Sequence, residues 1–198
     1  MTLQQALEDF YQIAKERPTS TLRLSSLADY CVETLSRLGL SEAETEATVP
    51  GFGRPKQWDV AWQYDGKYRL AISLKSIMRN VPGTVPNRID DLMGEVANLQ
   101  LYSPEIVIGY LMVFDVSQDP SGEWARLLES RLQALSGRSA PAWSIGMLEG
   151  AALTRVDFSG PRPRLLSDPD GPELMLRKLV EEVRRRNPGI PYPPKTQP

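Results

Sequence analysis

The 198-residue chain predicts an α/β protein: a mixed central β-sheet flanked by helices, with two helices ahead of the core. Three observations carry this. Asp65-Gly66 stands between two strand-like runs, 58–64 and 68–75, and is a strong hairpin signal. Residues 106–115, IVIGYLMVFD, are almost continuously apolar, as in a strand covered on both faces. Helical periodicity before, between and after these runs supplies the covering layers.

Residues 2–16 place Leu3, Leu7, Phe10, Tyr11 and Ala14 at helical spacing, with Thr2 as N-cap. Arg17-Pro18-Thr19-Ser20 breaks that pattern. Over 25–39, Leu27, Tyr30, Cys31, Leu35 and Leu38 share one helical side; Ser25 or Ser26 caps it and Gly39 ends it. Residues 41–57 are polar and contain glycine, which predicts a loop. In the first strand, alternation groups Asp59 with Ala61, opposite Trp58, Val60 and Trp62. In the second it groups Ser73 and Lys75 opposite Leu70, Ile72 and Leu74.

A Pro/Gly loop over 76–86 leads to a central helix over 87–102. Its apolar stripe is Ile89, Leu92, Met93, Val96 and Leu99, and its polar stripe Arg88, Asp91, Glu95, Asn98 and Tyr102. Further along come a helix near 122–136, short strands over 142–148 and 151–158, a loop over 159–171 and a helix over 172–187. Arg184, Arg185 and Arg186 in the last turn complement the helix dipole. One domain is expected over 1–187, with a loose proline-rich tail over 188–198.

Composition removes several function classes. There is no histidine, which excludes Ser-His-Asp and Cys-His catalysis and histidine-bound zinc. Cys31 is the only cysteine, so no internal disulfide forms, and a reducing, cytoplasmic setting is expected. The side chains left to bind a metal are oxygen donors, suited to Mg²⁺, Mn²⁺ or Ca²⁺. No apolar run approaches ~18 residues, and the N-terminus lacks a basic segment followed by an apolar one. Neither a membrane span nor a secretory signal is therefore expected. With a net charge of −2, nucleic-acid binding would need locally clustered basic residues.

The hairpin and the helix after it hold the chemistry-bearing residues. Phosphodiester hydrolysis by a hard metal needs acidic oxygens to hold the ion and a cation near the attacking water. Asp59 and Lys75, on neighbouring strands, supply one of each, and Ser73 shares a face with Lys75. The plain alternative is a cross-strand ion pair between Asp59 and Lys75, worth ~0.2–1 kcal/mol.

This order of residues resembles the core of the PD-(D/E)xK nuclease superfamily, best known from type II restriction endonucleases, over about residues 55–115. Asn87, Arg88, Asp90, Asp91 and Gly94 also resemble the helix after the lysine in some of those enzymes. By this likeness Asp59 matches the invariant acid and Lys75 the lysine. Trp58 replaces the motif proline, and Ser73 replaces the second acid. Some family members carry Ser-x-Lys and supply the missing carboxylate from the next helix, which here offers Asp91 or Glu95, with Asp90 a third option. Glu33 is a further acid on the second helix.

The resemblance implies a restriction-endonuclease-like fold and a Mg²⁺-dependent DNA endonuclease, with Mn²⁺ as a substitute. Asp59 with Asp91 or Glu95 would hold the metal, and the products would carry 5′-phosphate and 3′-hydroxyl ends. Lys56, Arg79 and Arg88, with Arg54, flank the site as DNA contacts. A homodimer or a partner subunit, and a role in defence against foreign DNA, follow from family habit. A catalytically degenerate subunit that binds nucleic acid or a protein partner is the alternative.

Overall fold

Apolar residues on both sides of one strand set the architecture. The computed structural model describes residues 1–17 and 20–190. Strands β1 (Glu44–Val49), β2 (Lys56–Tyr64) and β3 (Lys67–Ile77) form an antiparallel meander. β4 (Val107–Asp115) and β5 (Gly150–Asp157) add in parallel, and the two-residue β6 (Arg164–Leu165) closes the sheet antiparallel. The spatial order β1 to β6 follows the chain. β4 is buried along its whole length, as its unbroken apolar run requires.

Helices α1 (Leu3–Glu16), α2 (Ser25–Arg37) and α5 (Gly171–Arg186) contribute Leu7, Phe10, Leu35 and Leu179 to a core with Val60, Leu74 and Leu111. On the other face, α3 (Val81–Tyr102) and α4 (Glu123–Leu135) pack Leu92, Val96 and Leu128 with Trp58, Ala71 and Phe114. A 3-10 turn at Thr21–Leu24 joins α1 to α2. Among the described residues no helix is long and apolar enough to cross a membrane.

Four sequence expectations change. Residues 41–57 are not all loop, because Glu44–Val49 pairs with β2 as an edge strand. Only its Ala47 and Val49 are buried, so it gives little hydrophobic pattern. The central helix begins at Val81 rather than residue 87, with Pro82 in its first turn. The first four N–H groups of a helix lack intrahelical partners, so proline there forfeits nothing. Residues 142–148 form turns instead of a strand. Their backbone groups bond to side chains: Gln100 to Met147 O at 2.6 Å and Gly146 N at 2.8 Å, and Arg138 to Ser144 O at 3.0 Å. Ordered packing also continues past α5, where Ile190 is buried and Gly189 O accepts from the Tyr64 hydroxyl at 3.1 Å. Residues 191–198, the rest of the expected tail, and Pro18-Thr19 of the breaker lie outside the described residues.

β4 admits α5 closely because Gly109 has no side chain. A Cβ there would lie 2.4 Å from Leu179 Cδ1. Gly109→Ala is expected to overpack this contact and lower stability by about 1–3 kcal/mol. Urea unfolding checks this: the midpoint falls with an unchanged m-value, and an unmoved midpoint contradicts the packing.

Candidate active site

The site begins where β2 and β3 part. Their pairing runs from Tyr64↔Lys67 to Val60↔Ile72 and stops. One residue further along β2, Asp59 turns its carboxylate into the gap, and Leu74 N–H donates to Oδ2 at 2.7 Å. The acid replaces a strand acceptor for a backbone donor that burial would otherwise leave unpaired. This breaks the expected alternation: Trp58 packs with Ala61 towards α3 and α4, while Val60 and Trp62 pack into the opposite core. On β1, Thr45 and Ala47 pair with Val60 and Trp58, and Glu46 between them has a left-handed backbone, φ +54°.

From the α3 side comes a second carboxylate. Ser73 Oγ–H donates to Glu95 Oε2 at 3.4 Å, long for a hydroxyl donor. Lys75 Nζ lies 3.7 Å from the same oxygen. Lys56 Nζ pairs with Oε1. Glu95 therefore meets Ser73 and both lysines, and Lys75 pairs with Glu95 instead of forming the cross-strand pair with Asp59. Ser73 faces α3 beside Tyr110, its partner in the parallel β3–β4 ladder. The Tyr110 hydroxyl is fully buried without a hydrogen-bond partner among the described residues.

Electrostatics tie the two acids together. Burial pushes the Asp59 carboxyl above its ordinary range, the Leu74 N–H and Lys75 oppose that, and the charge of Glu95 adds to it. Burial also raises the Tyr110 phenol, with Glu95 the next cause.

The other candidates make no contact with Ser73 or Lys75 among those the structure gives. Asp91 is exposed and accepts from Arg88 Nη1 at 3.1 Å, an i,i+3 pair on α3. Asp90 and Asp91 line an outer groove of about 500 Å³ with Lys56 and Glu95. Glu33 pairs with the N-terminal amine, so it serves that contact rather than the site. Arg79 is exposed just beyond β3. In the last turn of α5, Arg186 bonds the buried Glu149 at 2.7 Å and Arg184 bonds Leu38 O at 2.6 Å, which makes both structural.

Among the described residues no cluster of three acidic, cysteine or histidine groups is arranged to hold a metal. Asp59, Glu95 and the Ser73 hydroxyl nonetheless offer only oxygen donors. That fits Mg²⁺, which keeps several waters and binds through one or two carboxylates plus substrate phosphate.

Two residues of this region had no assigned role in the sequence. Arg23, in the 3-10 turn, donates from Nε to Ser76 Oγ at 3.1 Å, next to Lys75 in the chain. Burial lowers its guanidinium pKa, and Arg88 and Arg79 lower it further, which places the three arginines within one another's field. Asn98 fastens the loop before β2 to α3: its Oδ1 accepts from Gly53 N–H at 2.8 Å and its Nδ2–H donates to Arg54 O at 3.1 Å. No periodicity marks Arg23, and Asn98 showed only as a polar-stripe residue.

Compared with models of known protein families and with curated proteins, the chain matches none.

The raised Asp59 carboxyl has a signed consequence. The folded state keeps this proton to higher pH than the unfolded chain, whose ordinary value is 3.8. The group's contribution to stability is full below that value and is lost as pH rises through the native one. Asp59→Asn, measured without divalent ions, is expected to raise the thermal midpoint by a few degrees at pH 7 and to match the wild type near pH 3. A lower midpoint at pH 7 would mean that the Leu74 and Lys75 contacts outweigh burial. For Tyr110→Phe, removing an unpaired buried hydroxyl is expected to leave the midpoint unchanged or raised, and a drop would reveal a partner for that hydroxyl.

Proposed function

We propose that this chain is a metal-dependent DNA endonuclease with a restriction-endonuclease-like core, acting in defence against foreign DNA. One observation carries the reading: Glu95 brings a carboxylate to Ser73 and Lys75, beside Asp59. The helix thus supplies the acid that the motif position lacks. Among the three α3 acids named from the sequence, the geometry favours Glu95, since Asp91 is turned to Arg88 and Asp90 is exposed.

Asp59 and Glu95 are the residues that would hold Mg²⁺ or Mn²⁺. When bound, the metal supplies Lewis-acid polarisation of the phosphate and a water of lowered pKa. Lys75 orients the attacking water and stabilises negative charge developing on the phosphoryl oxygens. Ser73 steadies the Glu95 carboxylate without adding charge. Asp59 is kept in place by Leu74 N–H, so its position is fixed by backbone. Arg23, Arg79 and Arg88 form the basic rim along which the DNA backbone would lie, an affinity that weakens with salt. Cutting both strands calls for two such sites, hence a homodimer or a partner subunit.

A second reading, a degenerate subunit that binds nucleic acid without cutting, is favoured by the engagement of both Glu95 oxygens by lysines. Plasmid cleavage with Mg²⁺ or Mn²⁺ decides between them. Asp59→Asn, Lys75→Ala and Glu95→Gln are each expected to lower the rate by about 100-fold or more. Asp91→Asn is expected to stay within a few-fold of wild type. DNA binding without cleavage under either metal would select the degenerate subunit. Cleavage that survives Glu95→Gln but not Asp91→Asn would transfer the metal role to Asp91.

A further inference from the structure

Two ammonium groups share one carboxylate, and they are not equivalent. Lys75 is only 20% exposed, whereas Lys56 is 32% exposed, on a Glu95 carboxylate that is itself 11% exposed. Lys56 opens β2 at the mouth of the outer groove, whose lining includes Arg54, Asp91, Glu95 and Asn98. Its backbone is held, and its side chain is the more exposed of the two. The preceding loop is fastened to α3 through Asn98, which takes Phe52 N–H on its carbonyl at 2.9 Å and Gly53 N–H on its side chain at 2.8 Å. Asn98 lies three residues after Glu95 on the same helix, so one stretch of α3 carries both the fastening and the carboxylate.

Glu95 already faces two cations, Lys56 and Lys75, with Asp59 alongside. A dication entering here adds charge next to both ammonium groups, and Lys56, at the groove, is the one able to withdraw. We propose that Lys56 is an internal counter-ion that keeps Glu95 from a divalent metal until a DNA phosphate in the groove takes its ammonium. This rests on the nuclease reading and adds its regulation: the substrate opens the acidic site. By linkage, metal and DNA then raise each other's affinity by the same factor.

Mn²⁺ titration of the full chain, with and without a duplex of non-hydrolysable backbone, tests this. In the absence of DNA, Lys56→Gln is expected to bind Mn²⁺ about tenfold more tightly than wild type. Lys56→Arg, which keeps the charge, should stay near wild type. Arg54→Gln, which removes a charge from the same groove without touching Glu95, should gain no more than about threefold if contact rather than the general field matters. DNA should raise the wild-type Mn²⁺ affinity more than that of Lys56→Gln. Adding Glu95→Gln to Lys56→Gln should abolish the gain.

If Lys56→Gln binds Mn²⁺ no more tightly than wild type while Glu95→Gln binds it more weakly, the counter-ion role is wrong and the nuclease reading stands. Equal gains in Lys56→Gln and Arg54→Gln also overturn it, leaving only a field effect. Should no form of the protein bind Mn²⁺, with or without DNA, the counter-ion role and the metal-dependent reading fall together.

Discussion

The hydrogen bond from Leu74 N–H to Asp59 organises the half of the molecule that holds the candidate site. Two antiparallel strands that separate leave backbone donors without acceptors, and a buried donor left so costs about 1–3 kcal/mol. Asp59 removes that cost at one position with its own carboxylate. The chain turns locally to do this, and Trp58 and Val60, two residues apart, enter opposite cores. A carboxylate in that place is largely withdrawn from water, so its ionised form is disfavoured. Lys75 and the Leu74 amide oppose the penalty without cancelling it. A buried acid whose carboxyl is raised by its surroundings, beside a lysine and a second acid, is the arrangement that functional sites use and that stability alone would discard.

The far side of the sheet is built for rigidity. Glu149 is buried and accepts from Ile108 N–H at 2.6 Å, Arg138 at 3.0 Å and Arg186 at 2.7 Å. The Trp143 ring lies under both guanidiniums, 5.3 Å from Arg138 and 4.3 Å from Arg186. Such a group adds little net stability over apolar packing, but removing one partner strands a buried charge. It ties the turns over 142–148, the start of β5 and the end of α5 to β4, and Gly109 draws α5 onto the same strand. The strands that carry Asp59, Ser73 and Lys75 thus lean on a frame with little freedom to shift.

How far the sequence disclosed this depends on what each residue's pattern reports. β4 and the hairpin were legible because continuous apolar runs and Asp-Gly are strong local signals. β1 was not, since an edge strand with Glu44, Thr45 and Glu46 exposed has almost no apolar face to detect. Pro82 and Pro86 hid the start of α3: proline marks a break, yet Pro82 falls in the first turn and the helix also carries Pro86 inside it. Over 142–148 the alternation of Trp143, Ile145 and Met147 mimicked a strand, while the backbone is satisfied by Gln100 and Arg138, distant in sequence. Asp59, Ser73 and Lys75 could be named from spacing. Glu95 and Asp91 could not be separated, because both lie on one polar stripe; only packing reveals that Glu95 reaches back over β3 and Asp91 turns to Arg88. Arg23 was invisible, being brought to Ser76 by the packing of an unpatterned turn.

Serine at position 73 becomes intelligible in this setting. An acid there would stand on the strand next to Asp59, where the two strands part and burial already disfavours charge. A carboxylate delivered from α3 reaches the same region on a longer side chain and arrives together with Lys56, because Asn98 hangs the loop before β2 on that helix. The negative charge is therefore not a fixed property of the strand. It is supplied by a helix that also lines the outer groove together with Lys56. On the proposed reading, replacing the strand acid by a helix acid couples the metal ligand to the surface that DNA would touch first, a coupling that an acid at position 73 would lack.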